Sequence, residues 1–373
     1  MRVLMTGGGT AGHINPALAI AAKIKAERPD AEILFVGAEG RMETTLVPQA
    51  GYPLKTVAVE GFKRSFAPKA LLHNAKAAVH AVTAGVQAAK IIREFRPDIA
   101  IGTGGYVCGP VLLKAAKMGI PTLVHESNAY PGVTTKMLSK TAAAILLPTE
   151  AAKAYIPSGT RTIVTGNPLR EGFSAPDKRL SREQLGVDER PLVLCFGGSL
   201  GARPLNEAIA GVLRRNKQEQ ALQFIVGTGR GINYERTKKM LEEYGVDPDG
   251  IHVRVREYID DMPRCMAAAD LVVSRCGAMT LSELPAMGKP SILVPSPYVA
   301  ENHQYYNAMS LVDRGAAVCI EEKDLTDERL WDTIKETALD NARLTAMSEA
   351  AKAAAVSDAC DRIYAVICEV LEG

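Results

Sequence analysis

No apolar run in this 373-residue chain approaches the ~20 residues needed to cross a bilayer. The first residues pass directly into a strand and a glycine turn, without the basic, apolar and small-residue order of a secretion signal. Seven cysteines (108, 195, 265, 276, 319, 360 and 368) are scattered, odd in number and without CxxC spacing. That argues against a disulfide framework or zinc site and fits a reducing compartment. No DxD, His-x-x-x-His or clustered carboxylate stands out as a metal site, and no low-complexity tract or short repeat occurs. The expectation is a cytosolic protein that is still able to lie on a membrane surface.

What is present is ordinary in bulk and uneven in detail. Apolar residues make up 47% and charged residues 23%, in a chain long enough for two domains with proper cores. The net charge of +2 conceals a split. Residues 1–167 hold 19 Lys+Arg against 10 Asp+Glu, and residues 168–373 hold 25 against 32. A basic half beside an acidic one suggests that the first meets an anionic partner such as a phospholipid surface.

Two glycine-rich turns lie about half a chain apart. Gly7-Gly8-Gly9-Thr10-Ala11-Gly12-His13 follows the apolar run Arg2 to Met5, and Gly197-Gly198-Ser199-Leu200-Gly201-Ala202 follows Leu192 to Phe196. A strand turning sharply into a helix leaves backbone N–H groups at the positive end of the helix dipole, and glycine lets a phosphate approach them. Two such turns, each opening a run of alternating strands and helices, predict an α/β chain of paired doubly wound, parallel-sheet, Rossmann-like domains facing a cleft. Short apolar runs bounded by Gly and Pro predict strands near 2–6, 31–36, 98–102, 120–124, 143–147 and 161–165. In the second half they fall near 191–196, 222–226, 251–255, 270–274, 290–294 and 316–320, and 326–371 reads as helical. The expected boundaries are an N-terminal domain at 1–165, a linker at 166–190 and a C-terminal domain at 191–355. Asn15-Pro16 reads as a helix cap and first position, which places His13 in the turn before the helix.

Several constellations carry chemistry, each beside a plainer reading. Gly7 to Gly12 matches G-x-G-x-x-G with Glu39 beyond the second strand, as in a dinucleotide enzyme. His13 directly after the turn, and the second turn itself, count against that reading. His13 is a base for a hydroxyl proton or a loop histidine bonding carbonyls. Gly104-Gly105-Tyr106 lies in a third glycine turn, which cradles a second phosphate group or serves packing. His125-Glu126-Ser127-Asn128 sits at a strand's carboxyl end, where ligands of open sheets bind, or is a surface loop. Thr280-x-x-Glu283 is a capping box or part of a nucleoside site with Glu283 on the ribose. Glu301 to Gln304 suits a sugar or is a plain helix start. Between Gly61 and Arg96, basic Lys63, Arg64, Lys69 and Lys76 join apolar Leu71, Leu72, Val79 and Val82 as an interfacial patch or a core stripe.

Taken together, GGGTAGH (7–13), GTGGY (102–106), HESN (125–128), GNPLR (166–170), GGSLGAR (197–203), EYIDDM (257–262), SRCGAMTLSE (274–283) and NHQYYNA (302–308) resemble the MurG family of bacterial glycosyltransferases. That is family 28, with the GT-B fold, and the resemblance spans nearly the whole chain. It implies inverting transfer of N-acetylglucosamine from UDP-N-acetylglucosamine to lipid I, at the cytoplasmic face of the cell membrane as a peripheral protein, in peptidoglycan synthesis. It implies no cofactor, no metal and no nucleic acid, and a C-terminal helix at about 356–373 packing back on the first domain. Carried over by position, Ser199 binds the donor phosphates, Ile259 reads the uracil, and Ala278, Met279, Thr280, Leu281, Ser282 and Glu283 line the nucleoside site. Gln304 binds the sugar, Asn128 and Arg170 also contact the donor, and Thr10, Ala11 and Gly12 stand beside His13. Departures are Ala11 where glycine is common in relatives, and Ser127 and His303 where glutamine is. The rival readings are another lipid glycosyltransferase such as a diacylglycerol galactosyltransferase, a UDP-sugar 2-epimerase, and a non-catalytic membrane-docking subunit.

Overall fold

A computed structural model describes residues 1–60, 68–170, 172–173, 177–299 and 302–372, with residues 68–79, 81 and 82 described by their backbone alone. The chain forms two compact units, Met1–Arg170 with Asp358–Gly373, and Glu171–Ser357.

The first unit opens with β1 (Arg2–Thr6), α1 (Ala11–Glu27), β2 (Glu32–Ala38), α2 (Glu43–Gln49) and β3 (Leu54–Val57). There follow α3 (Pro68–Phe95), β4 (Ile99–Gly102), α4 (Cys108–Lys117), β5 (Thr122–His125), α5 (Val133–Leu138), β6 (Ala144–Leu147) and β7 (Thr162–Val164). The strands form one parallel sheet in the order β3-β2-β1-β4-β5-β6-β7. The direction of winding reverses at β1 and β4, whose register pairs Val3 with Ile99 and Thr6 with Gly102. Crevices beyond strand ends at such a switch point are where open sheets bind ligands.

Alternation along the strands divides the core. Val3, Met5, Ile33, Phe35, Ile99 and Ile101 face Ile14, Ile20 and Ile24 of α1 and also Ile363, Val366 and Ile367 of the C-terminal helix. Leu4, Leu34, Val36 and Ala100 face Ala88 and Ile92 of α3 and Val111 and Leu112 of α4. Because helices cover both faces, the central strands carry short apolar runs such as Val3–Met5, Ile33–Val36 and Ile99–Ile101. The C-terminal helix is tied to this unit by Lys23 to Asp361 and Arg161 to Glu369, each at 2.6 Å.

The second unit begins with α6 (Lys178–Leu185), which lies within the stretch read from the sequence as a linker. Asp177 caps it by accepting from the Leu180 N–H at 3.0 Å, and Gly186 ends it at φ 60°. Then come β8 (Leu192–Phe196), α7 (Arg203–Glu219), β9 (Gln223–Gly227), α8 (Ile232–Glu243), β10 (Val253–Arg256), α9 (Met262–Ala268) and β11 (Leu271–Ser274). The unit continues with α10 (Thr280–Ala286), β12 (Ser291–Leu293), α11 (His303–Val312), β13 (Ala317–Cys319), α12 (Asp327–Ala338) and α13 (Asn341–Ala353), and α14 (Ala359–Glu372) returns to the first unit. Its parallel sheet runs β10-β9-β8-β11-β12-β13, again reversing at the strand before a glycine turn. Val193, Cys195, Phe224 and Val273 pack with Leu205, Ile209, Leu330, Trp331 and Ile334 in its core.

The stretch 326–371 is three helices, α12, α13 and α14. The first two start where Thr326 and Asp340 accept from the N–H groups of Arg329 and Arg343, at 3.1 and 3.0 Å.

Candidate active site

In the first unit the glycine turn joins β1 to α1, and the helix begins earlier than expected. It runs from Ala11, so His13 lies in its first turn and Pro16 lies inside the helix rather than at its start. The His13 and Ile14 N–H groups both donate to the Thr10 carbonyl, at 3.1 and 3.2 Å, which starts the helix at Thr10. Pro16 has no N–H for the Gly12 carbonyl, the usual objection to an interior proline. One turn is secured from outside instead, since the Thr103 hydroxyl donates to the His13 carbonyl at 2.6 Å.

Two groups address the imidazole Nδ1. The Gly8 carbonyl, 3.1 Å away, can only accept and so favours a hydrogen on Nδ1, and the Thr10 hydroxyl, 3.4 Å away, can accept from that hydrogen as well. Nε2 keeps its lone pair and can take a proton. Burial lowers the His13 pKa below its ordinary value, while the Gly8 carbonyl and the Glu126 and Glu43 carboxylates oppose that shift.

The third glycine turn braces the first. The Gly8 N–H donates to the Gly104 carbonyl at 3.3 Å. A Cβ on Gly104 would stand 2.5 Å from His13 Cδ2, and one on Gly105 would collide with the Gly8 carbonyl oxygen. Close approach of the His13 ring at Gly104 and of the Gly8 backbone at Gly105 is thus a sufficient reason for these two glycines. Tyr106 beside them is exposed.

Beyond β5, Glu126 is buried and organises the HESN loop. It accepts from the Asn128 N–H (2.9 Å), the Asn128 amide (3.0 Å), the Gly132 N–H (2.9 Å) and the Thr135 hydroxyl (2.7 Å). His125 is fully buried, donates from Nε2 to the Gly166 carbonyl at 3.2 Å, and is pushed by burial to a pKa of about 4. It ties β5 to the GNPLR segment, as does the Asn167 amide donating to the Ser127 carbonyl at 3.0 Å. Arg170 is exposed at the end of the unit's first segment.

In the second unit the glycine turn leads into α7. This helix is 17 residues long, with no acidic residue in its first turn and no side chain capping it. Its terminal N–H groups and dipole therefore present positive potential beside half-buried Ser199. The turn is held by the Gly201 N–H donating to the Gly198 carbonyl (3.0 Å) and the Asn233 amide donating to the Leu200 carbonyl (2.8 Å). Ile259 is buried against Gly227 at the end of β9.

The SRCGAMTLSE segment follows β11. Thr280 is the first residue of α10 rather than its cap, which is Met279, so no capping box forms. Glu283 is buried in that first turn, along with Leu281. At the start of α11, the Gln304 Oε1 accepts from the Ser296 N–H (2.9 Å) and the Cys276 N–H (3.4 Å). Its amide NH2 is therefore the group that can address a ligand. Arg275 is buried, donates to the Val294 and Pro295 carbonyls at 3.1 Å each, and forms an ion pair with Glu322.

The first unit thus gathers His13, Thr10 to Gly12 and Gly104 to Tyr106 around one pair of turns. The second carries Ser199, Ile259, Ala278 to Glu283 and Gln304 beyond the carboxyl ends of its strands. Sequence reading missed Glu43, which accepts from Gly9 in the first turn, the loop-organising Glu126 contacts and the Arg275–Glu322 brace. No sequence signal marked Glu43 or the Arg275–Glu322 pair, because Gly9 lies 34 residues from Glu43 and Glu322 lies 47 from Arg275. The patch residues Lys63, Arg64, Lys69, Leu71, Leu72, Lys76, Val79 and Val82 lie outside the described residues or have undescribed side chains. Among the described residues no helix is long and apolar enough to cross a membrane, and no group of three or more His, Cys, Asp or Glu could hold a metal ion.

Two parallel-sheet units, each opening on a glycine turn, with a histidine in one and an uncapped helix N-terminus in the other, define a two-domain α/β glycosyltransferase of the GT-B class. The chain belongs to glycosyltransferase family 28. Residues 3–147 match the Glycosyltransferase family 28 N-terminal domain and residues 192–363 the Glycosyltransferase family 28 C-terminal domain. It is 43% identical, over 100% of its length and 99% of the relative's, to the UDP-N-acetylglucosamine–N-acetylmuramyl-(pentapeptide) pyrophosphoryl-undecaprenol N-acetylglucosamine transferase of Acetivibrio thermocellus. Among solved structures, Acinetobacter baumannii MurG is similar with a TM-score of 0.74 at 28% identity, covering 99% of both chains. The UDP-GlcNAc 2-epimerase of Neisseria meningitidis, bound to UDP-GlcNAc, has a TM-score of 0.68 at 15% identity, covering 99% of this chain and 100% of that one, a likeness of fold alone.

Proposed function

We infer that this chain transfers N-acetylglucosamine from UDP-N-acetylglucosamine to the N-acetylmuramyl sugar of lipid I, yielding lipid II and UDP in peptidoglycan synthesis. The observation that carries this reading is the full-length relationship at 43% identity to a transferase named for that donor and that lipid-linked acceptor. The tautomer of His13 supports it from the chemical side.

In the proposed step the acceptor's C4 hydroxyl oxygen attacks C1 of the donor sugar. The C1–O bond to the diphosphate breaks with its electron pair leaving on UDP, and the new β-1,4 bond forms with inversion. His13 Nε2 takes the hydroxyl proton. A positioned base of this kind contributes roughly 10²–10⁴-fold. Ser199 and the N-terminus of α7 stabilise the charge on the departing diphosphate. Ile259 and Ala278 to Glu283 hold the nucleoside, Gln304 donates to the sugar, and Asn128 and Arg170 complete the donor contacts. Gly104, Gly105 and Tyr106 are assigned to the acceptor diphosphate. The basic and apolar stretch between 61 and 96, in the half with excess positive charge, docks on the anionic inner face of the membrane.

The test is incubation with labelled UDP-N-acetylglucosamine and a lipid I analogue. Labelled disaccharide lipid is the expected product, and its absence overturns the proposal. A 2-epimerase would instead consume the donor without any acceptor, so the acceptor-free control separates the two.

A further inference from the structure

Glu43 is fully buried at the first position of α2, directly beneath the first glycine turn. Both carboxylate oxygens accept: Oε1 from the Ala38 N–H at 2.9 Å, at the end of β2, and Oε2 from the Gly9 N–H at 3.0 Å. The surrounding backbone is shaped to it. A Cβ on Gly8 would collide with Oε1, and one on Gly37 would stand 2.6 Å from Glu43 Cγ. Two glycines and one buried acid are therefore a fitted set, drawn from three separate stretches of chain.

This arrangement changes what the turn is for. A dinucleotide fold keeps such N–H groups for a pyrophosphate. Here a carboxylate already holds the Gly9 N–H, and its negative charge disfavours a second anion at that point. The same Gly8 whose Cα faces Glu43 presents its carbonyl to His13 Nδ1 at 3.1 Å.

We propose that Glu43 is a positioning residue. By fixing Gly8 and Gly9 it holds the carbonyl that receives the Nδ1 hydrogen, and so keeps His13 in the tautomer whose Nε2 faces the reaction as a base. The inference rests on the proposed role of His13. The charged groups facing the imidazole are Glu43 from α2 and Glu126 from the loop after β5. The neighbouring Cys108 thiol on α4, pushed up to about 11 by burial, stays protonated across the working range.

The test compares Glu43→Gln, Glu43→Asp, His13→Ala and the double variant H13A/E43Q in donor-to-lipid transfer, with UDP affinity measured in parallel. A glutamine can accept from only one of the two N–H groups and turns its own NH2 on the other. The expected result for E43Q is a fall in kcat of about 10- to 100-fold, the range for groups that orient a functional histidine. UDP affinity should stay within about twofold, since the phosphate and nucleoside contacts (Ser199, Ile259 and Ala278 to Glu283) are assigned to the other unit and neither Asn128 nor Arg170 touches Glu43, a margin well under the tenfold that 1.4 kcal/mol represents. The acid limb of kcat/KM should move to lower pH, because a negative charge facing the imidazole has gone. E43D keeps the charge, so its limb should stay in place while kcat falls, and it carries the test if E43Q does not fold. In the His13→Ala background E43Q should cost nothing further. An unmoved limb in E43Q, a moved limb in E43D, or an equal loss from E43Q with and without His13 overturns the proposal. Near-normal turnover of His13→Ala would instead sink the base assignment.

Discussion

His13 Nδ1 and the Gly8 carbonyl oxygen stand 3.1 Å apart, with the imidazole as donor. The contact lies within a glycine turn that the sequence suggests as a phosphate cradle. In the folded unit the turn's backbone instead sets the protonation pattern of a side chain. If His13 is the base proposed above, its neutral form is the active one, and burial lowers its pKa below the ordinary 6.5. The kcat/KM of the wild type should therefore be constant through neutral pH and fall only as pH drops through a value below 6.5. His13→Ala should lose about 10²–10⁴-fold in kcat and lose that limb, as measured by a pH series of initial rates.

Gln304 separates an acceptor from a donor role in one side chain. Its oxygen is held by the Ser296 and Cys276 N–H groups, so Gln304→Glu keeps the internal contacts and puts a charged, accept-only oxygen where the outward NH2 donor stood. The expected outcome is a rise in KM for the donor sugar of about tenfold, the equivalent of one hydrogen bond of ~1.4 kcal/mol, with the melting temperature little changed. Steady-state kinetics and thermal unfolding read the two effects separately.

Arg275, in the segment between β11 and α10, forms a buried ion pair with Glu322, and its guanidinium also donates to the Val294 and Pro295 carbonyls. Removing the acid leaves a charge without its counterion in a dry setting. Glu322→Ala should cost ~3–5 kcal/mol in urea unfolding. Glu322→Gln, which keeps an acceptor for the guanidinium, should cost less.

Lys289 is buried at the edge of a cleft of about 590 Å³ between α6, α9 and α13, and burial brings its pKa from 10.5 to about 7. Its amine donates to the Ala267 and Ala269 carbonyls at 2.7 and 2.8 Å, which a neutral amine with two hydrogens can still do. Between about pH 7 and 10.5 the unfolded chain binds a proton here that the native chain does not. Stability contributed by this site therefore rises with pH across that window and is lost below it. Denaturation at pH 7.5 and 9.5 should show the difference between wild type and Lys289→Met shifting toward the wild type by roughly 1 kcal/mol per pH unit.

Much of the fold was legible because its strands are buried on both faces. The runs at 3–5, 99–101 and 192–196 are apolar without interruption, and the glycine turns after two of them mark the switch points. Edge strand β3 escaped notice because Leu54-Lys55-Thr56-Val57 alternates and has one solvated face. The proline rule misplaced the start of α1, since Pro16 is outweighed by the Thr10 carbonyl and by a hydroxyl arriving from Thr103.

The sequence by itself determined the repeated strand, glycine turn and helix, the parallel sheets and the residue types gathered at their ends, because burial and backbone freedom leave their marks locally. Tertiary structure alone decided what the turns do. Whether a glycine admits a phosphate or a buried carboxylate depends on which atom reaches it. For Gly8 that atom belongs to Glu43, brought there across a strand and a helix by the packing of the sheet.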